Sequence, residues 1–362
     1  MRDPSLLSHT HRRRRFTVVV MVVVGFSLTI HGSALMAKTM NDEAPAAESP
    51  VEPDDQPPVD EPVENAKAGR GVKTLGGMQF WGDVCFFQGW RIQKNVFTEH
   101  FRLLDPKDNR HASGTLEECQ AKLTQIRAEQ KLPAMSGKAV VLLHGIGRSS
   151  RSFFGMSSAL ADDGYLVVGF DYPSTRVSIQ DAAEYLHSVL QSLDGIDRID
   201  VVCHSMGGLL LRAYLMKHDE PRFGKAVMLG VPNKGAQVAD FLKDNRLFKA
   251  VMGPAGQQLV SGPDSIVHAL PVPTFPFGVI AGGRSAARGY NPLLPGDNDS
   301  TVTVASTRLP GAADYRLVPV IHSFLMNDRR VIQATRTFLQ QGCFDPDQPA
   351  QPISRDDVTV LE

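Results

Sequence analysis

From Lys138 onward, short apolar runs of strand length alternate with longer stretches in which apolar residues recur at helical spacing. The short runs are apolar at nearly every position, which is typical of strands buried on both faces. Such strands, interspersed with helices, predict an α/β fold with a mostly parallel sheet covered by helices on both faces. The predicted strands are Ala139–Leu143, Tyr165–Phe170, Ile199–Cys203, Ala226–Leu229, Gly278–Ala281 and Tyr315–Val320.

Residues 71–136, which precede this region, have a different pattern. The stretch 76–87 is rich in glycine and aromatic residues, 90–104 alternates loosely as a strand does, and 116–131 has apolar residues near helical spacing. We predict an N-terminal extension that packs on the main domain. The alternative is an exposed aromatic cluster that faces substrate or membrane.

The N-terminus has the pattern of an export signal. Four arginines at 12–15 are followed by an apolar run over 16–30 and by small residues at 33, 34 and 37. We therefore predict a signal peptide over residues 1–37. A retained membrane anchor is the alternative, because 16–37 is just long enough to span a bilayer. Either segment places the rest of the chain outside the cytoplasm, in the periplasm, in the cell envelope or secreted, with possible membrane association through the N-terminus.

Two further segments are too polar to form a core. Between Asn41 and Asn65 there are nine acidic residues, six prolines and no basic residue, so residues 38–70 are predicted to be a disordered, acidic, Pro-rich linker. The polar, Pro-rich residues 343–362 are predicted to be a flexible C-terminal tail. The catalytic domain is then expected to cover residues 137–342.

Charge and cysteine content exclude several classes of function. The 362-residue chain has a formal net charge of −1, and the globular part lacks a basic stripe interleaved with aromatic residues, so no nucleic-acid partner is expected. No Cys or His spacing indicates a zinc site, and no cofactor or metal is predicted. Among the four cysteines, Cys203 is expected to be a free thiol, and Cys85–Cys119 is the disulfide we consider.

Ser205 lies between an apolar run and a stretch of helical character, in the sequence Cys203-His204-Ser205-Met206-Gly207. A serine at a tight strand-to-helix turn holds its hydroxyl out of the sheet, beside the free amides of a helix N-terminus. The Met206 amide is therefore a candidate oxyanion donor. The Ile146 amide, in the glycine-containing loop after Leu143, is the second, and we expect His144 to fix that loop by hydrogen bonding.

A histidine and a carboxylate follow later strands. His322 comes directly after the last predicted strand and is the candidate general base, with His268 as its competitor. Asp299 is the candidate orienting acid, with Asp297 next. The alternating acids also resemble a calcium loop, but no distal glutamate completes it.

The order Ser205, Asp299, His322, with His144-Gly145 upstream, resembles the α/β-hydrolase fold, and within it most closely the bacterial lipases and esterases. The serine motif is similar to their Ala-His-Ser-Met-Gly, with Cys203 where the usual pattern has its first glycine. Residues 229–235 are similar to their Thr-Pro-x-x-Gly loop, and 322–324 to their histidine-containing ending. Residues 298–302 resemble an Asn-Asp-Gly-x-Val acid loop in which Ser300 departs from glycine. The resemblance implies a parallel-sheet hydrolase with a cap insertion.

The sequence thus predicts an exported serine hydrolase that cleaves small-molecule or lipid carboxylic esters through an acyl-enzyme. The cap is expected at about 235–276, where Phe241, Leu242 and Phe248 are candidate substrate-binding residues. An acyltransferase or thioesterase with the same triad is one alternative. An inactive, envelope-tethered binding module is another.

Overall fold

A computed structural model describes residues 72–73, 77–262 and 265–356, all within one compact unit of the chain. The predicted signal or anchor (1–37) and the acidic linker (38–70) lie outside these ranges. No helix in the described ranges combines the length and apolar character that a membrane span requires.

The centre of the fold is a six-stranded sheet in which all neighbouring strands are parallel. The strands are β6 (Gly137–Leu143), β7 (Leu166–Phe170), β8 (Ile196–His204), β9 (Phe223–Leu229), β10 (Phe277–Gly282) and β11 (Asp314–Val318). Their order in the sheet is β11-β10-β9-β8-β6-β7. The α/β class and the mostly parallel sheet predicted from the apolar runs are therefore confirmed.

Each central strand contributes side chains to two separate cores, which is why its sequence is apolar at consecutive positions. On β6, Val140 and Leu142 join one buried cluster, whereas Val141 and Leu143 join the other. Helices cover both clusters. The first core is closed by α2 (Phe154–Asp162) and α9 (Arg329–Gln341), and the second by α3 (Ile179–Gln191) and α4 (Met206–Lys217).

The helix bounds follow from local capping chemistry. Ser178 accepts a hydrogen bond from the Asp181 amide at the start of α3, and the Asp328 carboxylate accepts from two amides at the start of α9. Helix α9 ends at Gly342, whose φ of 86° lies in the left-handed region that glycine tolerates best.

A second sheet, of five antiparallel strands, precedes the parallel one. The strands are β1 (Val72–Lys73), β2 (Trp81–Phe87), β3 (Trp90–Asn95), β4 (Phe101–Leu104) and β5 (Asn109–Gly114). Their order in the sheet is β1-β5-β4-β3-β2. Helix α1 (Leu116–Glu129) begins with a capping box between Thr115 and Glu118 and packs on this sheet.

The small sheet is attached to the main domain by close packing and by charge. At Gly82 a Cβ atom would overlap with the ring of Tyr185 on α3, so the two elements touch at that point. The Asp83 amide donates to the carbonyl oxygen of Asp171, which follows β7, and the Asp83 carboxylate accepts from the Asp171 amide. Arg91 forms an ion pair with both carboxylates.

Three short helices lie between β9 and β10, in the place predicted for the cap. They are α5 (Gln237–Leu242), α6 (Arg246–Gln258) and α7 (Ile266–Ala269). Helix α6 is kinked at Gly253, which has a φ of 60° and precedes Pro254. A Cβ at Gly253 would overlap with the carbonyl oxygen of Thr175, so this kink lets the cap lie against the loop after β7. A short helix, α8 (Val304–Thr307), follows β10.

Part of the segment that the sequence predicts to be a flexible tail is packed. Phe344 and Ile353 are buried beside the edge of the parallel sheet, whereas residues 346–352 between them are exposed. The Asp314 carboxylate accepts from the amides of Phe344 and Gln351, and Ile353 bonds to the backbone of Ala312. Two apolar side chains and a distant carboxylate hold the segment, although its average composition is polar.

The structure also contradicts the Cys85–Cys119 disulfide, because all four cysteines are free thiols. Cys85 lies on the edge strand β2, and the Ser192 hydroxyl contacts it. Cys119 is buried on α1, which packs against β4 and β5. In the small sheet, β3 separates these two strands from β2. Cys203 is a buried free thiol, as predicted.

Candidate active site

Ser205 occupies a strained turn between β8 and α4. Its φ of 55° and ψ of −128° are rarely adopted by a residue with a side chain. The turn is fixed from both sides, because the Ser205 amide donates to the Leu229 carbonyl and its own carbonyl accepts from Gly208. The side chain is 8% exposed. This geometry keeps one hydroxyl at the tip of the turn.

Small residues allow α4 to start directly against the sheet. A Cβ at Gly207 would overlap with the Leu143 carbonyl oxygen, and one at Gly208 with the side chain of Val231. Cys203, which replaces the first glycine of the usual motif, is fully buried, with its Sγ 3.6 Å from the Val227 carbonyl oxygen. The corner therefore accepts a thiol at that position.

The three predicted catalytic side chains lie in one hydrogen-bonded chain. The Nε2 of His322 is 3.0 Å from the Ser205 Oγ, and its Nδ1 is 2.6 Å from Asp299 Oδ2. The His322 amide also donates to the Asp299 carbonyl oxygen. Asp299 is fully buried and His322 nearly so. Ser205 and Asp299 precede His322 by 117 and 23 positions in the sequence, and the fold brings all three together at the carboxyl ends of the strands.

Backbone amides of its own loop orient the Asp299 carboxylate. Its Oδ1 accepts from the amides of Thr301 and Val302, which leaves Oδ2 for His322. Ser300 has a φ of 89°, in the region that favours glycine. This explains why the acid loop that the sequence resembles has glycine here. Asn298 accepts from the Ser300 amide and donates to the Asn291 carbonyl, so it stabilises the loop.

The predicted oxyanion donors, the amides of Met206 and Ile146, belong to two segments that meet near Ser205. The Met206 amide is in the first turn of α4, where a helix has no internal acceptor. The loop after β6 passes so close that a Cβ on Gly145 would lie 3.5 Å from the Ser205 Oγ. The Ile146 amide follows this glycine. The Ile146 side chain lies near the cap, because a Cβ built on Gly256 would be 3.6 Å from its Cδ1.

Gln79, from the N-terminal extension, supports this loop, and sequence reasoning missed it. Its Nε2 donates to the Arg148 carbonyl, and its Oε1 accepts from the hydroxyl of Ser174. That hydroxyl in turn accepts from the Gly147 amide at 2.9 Å. Gln79 thus holds Arg148 directly and Gly147 through the Ser174 hydroxyl, and these are the two residues that follow Ile146. No sequence motif marks a glutamine in a separate segment for this role.

Two buried histidines flank the site. His144 stacks on Tyr172 and, as expected, fixes its loop: its Nδ1 contacts the Gly145 carbonyl, and the Tyr172 hydroxyl donates to the His144 carbonyl. His204 Nε2 donates to the His322 carbonyl at 3.1 Å. Its Nδ1 is buried without a partner among the described residues. Burial lowers the pKa of His144 and lowers that of His204 well below its ordinary value.

The competing candidates have other partners. His268 is exposed on α7 and contacts the Ser261 carbonyl. The Asp297 carboxylate accepts from the amides of residues 284–286. The Asp299 carboxylate binds different groups, namely the amides of Thr301 and Val302 and the imidazole of His322. Of the proposed substrate-binding residues in the cap, Phe241 is 56% exposed, Leu242 is buried and Phe248 is partly buried. Their contact with substrate remains a prediction.

A serine on a strand-turn-helix corner of a parallel sheet, with its acid and histidine in later strand-end loops, defines the architecture. The chain has the α/β-hydrolase fold. In this respect the expectation from the sequence is confirmed. A sequence family described as a domain of unknown function, DUF7379, matches residues 110–270, which contain Ser205 but neither Asp299 nor His322. No curated protein matches the chain.

Solved structures that resemble the chain include two lipases and an esterase. The mature form of the Bacillus licheniformis lipase BlEst2 has 20% identity, a TM-score of 0.44, and coverage of 58% of this chain and 94% of its own. Aspergillus fumigatus lipase B has 14% identity, a TM-score of 0.44, and coverage of 62% and 60%. A Thermogutta terrifontis thermophilic esterase has 16% identity, a TM-score of 0.40, and coverage of 57% and 91%.

Proposed function

We propose that the protein is a serine hydrolase that cleaves carboxylic esters through an acyl-enzyme. The observation that carries the proposal is the continuous hydrogen-bonded chain from Ser205 Oγ through His322 to Asp299 Oδ2. In this geometry the imidazole accepts the hydroxyl proton while its other nitrogen donates to a buried carboxylate.

The reaction follows from the positions of these groups. Ser205 Oγ attacks the ester carbonyl as His322 Nε2 takes the hydroxyl proton, and the amides of Ile146 and Met206 stabilise the oxyanion. Collapse of the tetrahedral intermediate breaks the bond to the alcohol oxygen, which receives the proton from His322. Water then attacks the acyl-enzyme with His322 again as the base, and the acid leaves with Ser205 restored.

Hydrolysis of a chain-length series of nitrophenyl esters tests this proposal. We expect turnover by the native chain and loss of at least about 10³-fold in kcat in Ser205→Ala, because the nucleophile is removed. Undiminished turnover in Ser205→Ala would overturn the proposal. The apolar cap residues favour medium-chain or lipid-like acyl groups, so the rate should peak above the acetyl ester.

The same triad serves an acyltransferase, so the acceptor has to be measured. We propose water as the acceptor. Product analysis in the presence of a short-chain alcohol should yield mainly free acid. A product that is mainly the new ester would assign the protein to acyl transfer instead.

We further propose that the chain is exported. The support is the sequence of residues 1–37 alone, with its basic, apolar and small-residue segments. A fusion of residues 1–40 to a reporter that is active only outside the cytoplasm should give signal. A fusion whose arginines 12–15 are replaced by glutamate is the control, and equal signal from both would contradict the proposal.

A further inference from the structure

Arg148 is a cation of the oxyanion loop that the proposed ester hydrolysis does not use. It follows Ile146 by two positions, in the segment between β6 and α2. Its backbone is held at both polar groups. The amide donates to the Gly145 carbonyl at 3.2 Å, and the carbonyl accepts from Gln79 Nε2 at 3.1 Å. The side chain therefore starts from a fixed point in the loop that passes Ser205.

The charge of Arg148 lies close to the histidines of the site. Burial is the main cause of the lowered pKa of His144 and of His204, and the Arg148 charge lowers both values further. Since the energy between two charges falls with their separation, the guanidinium has to lie near both imidazoles. His204 directly precedes Ser205, and its Nε2 donates to the His322 carbonyl. The guanidinium is thus a neighbour of the catalytic residues.

Among the described residues, no hydrogen bond or ion pair involves the Arg148 guanidinium. Burial alone lowers its pKa, and no carboxylate raises it. Other arginines of the fold have a partner, since Arg222 is paired with Glu220 and Arg336 with Asp163. A guanidinium carries several N–H donors, and donors withdrawn from water without an acceptor are unfavourable. Arg148 therefore has unused donors and an unbalanced charge.

The unused donors are open to solvent. Arg148 is half-buried. The buried polar atoms that lack a partner within the described ranges include none of its nitrogens, so each nitrogen of the guanidinium reaches water. Ser205 nearby keeps 8% of its surface exposed. A molecule that binds at Ser205 therefore comes close to an accessible cation.

The carboxylates around the site are already occupied. Asp299 binds His322 and two amides of its own loop. Asp171, which follows β7, accepts from Arg91 at 2.6 Å. Neither carboxylate forms an ion pair with Arg148 in the part of the chain that the structure describes. A bound anion would be the first counter-charge in contact with this guanidinium.

A single guanidinium fits an anion with one negative charge and two oxygens. A carboxylate has this form, and its oxygens accept the paired N–H donors of an arginine. A phosphate monoester carries a charge of about −1.5 to −2, which one cation does not balance. A neutral, apolar ester would displace water from Arg148 and supply no acceptor in return, which is unfavourable.

We propose that Arg148 binds a carboxylate carried by the substrate, so that the protein prefers anionic esters to neutral ones. The proposal rests on the proposed ester hydrolysis, which brings the substrate to Ser205. Arg148 is then a specificity-determining residue, because it contacts the substrate but neither transfers a proton nor stabilises the oxyanion. The carboxylate belongs to the acyl part or to the alcohol part of the ester, and the two arms of the test distinguish these positions.

Two pairs of esters test the proposal. In the first pair, 4-nitrophenyl adipate and its methyl ester differ in the charge at the end of the acyl part. In the second, the octanoates of 4-hydroxybenzoate and of its methyl ester differ in the charge of the alcohol part. For at least one pair, we expect the charged-to-neutral ratio of kcat/KM to fall at least about tenfold in Arg148→Gln, because a charged hydrogen-bonded contact is lost. That pair identifies the part that carries the carboxylate.

Two further variants separate binding from structure. Arg148→Lys keeps the charge and should retain part of the preference. Arg151→Gln removes an exposed cation three positions further on, which is paired with Asp108, and should leave the ratio native. A general loss of structure in Arg148→Gln lowers both rates of a pair and leaves their ratio unchanged. An unchanged ratio in both pairs, an equal fall in Arg151→Gln, or a lysine variant no better than the glutamine variant would overturn the proposal.

Binding measurements separate this proposal from that of ester hydrolysis. Calorimetric titration of Ser205→Ala chains with the two charged esters needs no turnover. We expect the ester identified above to bind at least about tenfold more weakly when Arg148→Gln is added. Such a loss in a protein that hydrolyses neither pair would contradict the hydrolase proposal and support the carboxylate site. Equal binding of both charged esters with and without Arg148 would overturn the site, whatever the kinetic assays give.

Discussion

At the scale of single residues, the site combines a strained serine, the proposed nucleophile, with a carboxylate that is held by backbone amides. The backbone of Ser205 lies in a region that costs about 1–3 kcal/mol. Asp299, in contrast, receives two amide hydrogen bonds in addition to that of His322. The fold thus holds the serine hydroxyl and the carboxylate on opposite sides of one imidazole.

We predict that Asp299→Asn lowers kcat by about 10³- to 10⁴-fold with little change in KM, because an amide no longer holds the His322 tautomer that accepts the serine proton. Steady-state kinetics on a nitrophenyl ester measure this effect. Asp297→Asn is the matched control, since that carboxylate binds backbone amides of residues 284–286. A similar loss in both variants would contradict the role of Asp299.

The buried His204 predicts a pH dependence of stability. Its folded pKa is lowered, so below about pH 6.5 the unfolded chain takes up a proton that the folded chain does not. The free energy of unfolding therefore falls as the pH decreases through that value, by at most about 1.4 kcal/mol per pH unit from this group. Denaturant titrations between pH 7 and 5 should show a shallower fall in His204→Gln than in the native chain.

The control for this measurement is His100→Gln, which alters an exposed histidine of the small sheet and should leave the slope native. An unchanged slope in His204→Gln would contradict the account of His204 as a neutral, buried imidazole.

At the scale of elements, the oxyanion loop depends on a segment that the sequence motifs do not include. We predict that Gln79→Leu lowers kcat about tenfold while KM and the denaturation midpoint change little. The loop loses its contacts at Arg148 and Ser174, but the core is untouched. The rate of inactivation by a phosphonate should fall in parallel. Gln120→Leu, an exposed change on α1, is the control.

A loss of stability in Gln79→Leu without a loss of kcat would assign Gln79 a structural role alone.

The elements that could be predicted from sequence are those whose signal is local. Apolar runs located the strands of the parallel sheet, because burial on both faces leaves few polar positions. The serine corner was recognisable because it needs small residues: Gly207 lies against the backbone of Leu143 and Gly208 against the side chain of Val231. The contacts of Gln79 were not predictable, because they depend on partners that are distant in the chain and carry no motif.

At the scale of the whole molecule, the C-terminal segment is held beside the start of β11 by bonds to Gly311, Ala312 and Asp314. We predict that truncation after Gly342 lowers the free energy of unfolding by about 3–6 kcal/mol, because it removes the buried Phe344 and Ile353. It also leaves the buried Asp314 carboxylate without two of its donors. Truncation after Asp356 is the control and should have no effect.

Equal stability of the two truncated chains, measured by denaturant titration, would contradict this packing. The composition of residues 343–362 suggested a flexible tail because prolines and acids dominate the average. Instead, the buried side chains of Phe344 and Ile353 and the Asp314 carboxylate on β11 hold the segment in place. The average composition of the segment reveals none of these three contacts.

The most direct test of the central claim is the covalent labelling of Ser205 by a fluorophosphonate, followed by intact mass and peptide mapping. The hydrogen-bonded chain through His322 to Asp299 predicts one adduct per native chain, located on Ser205, and none on Ser205→Ala. A native chain that acquires no adduct, or a Ser205→Ala chain that is labelled equally, would contradict the assignment of Ser205 as the nucleophile.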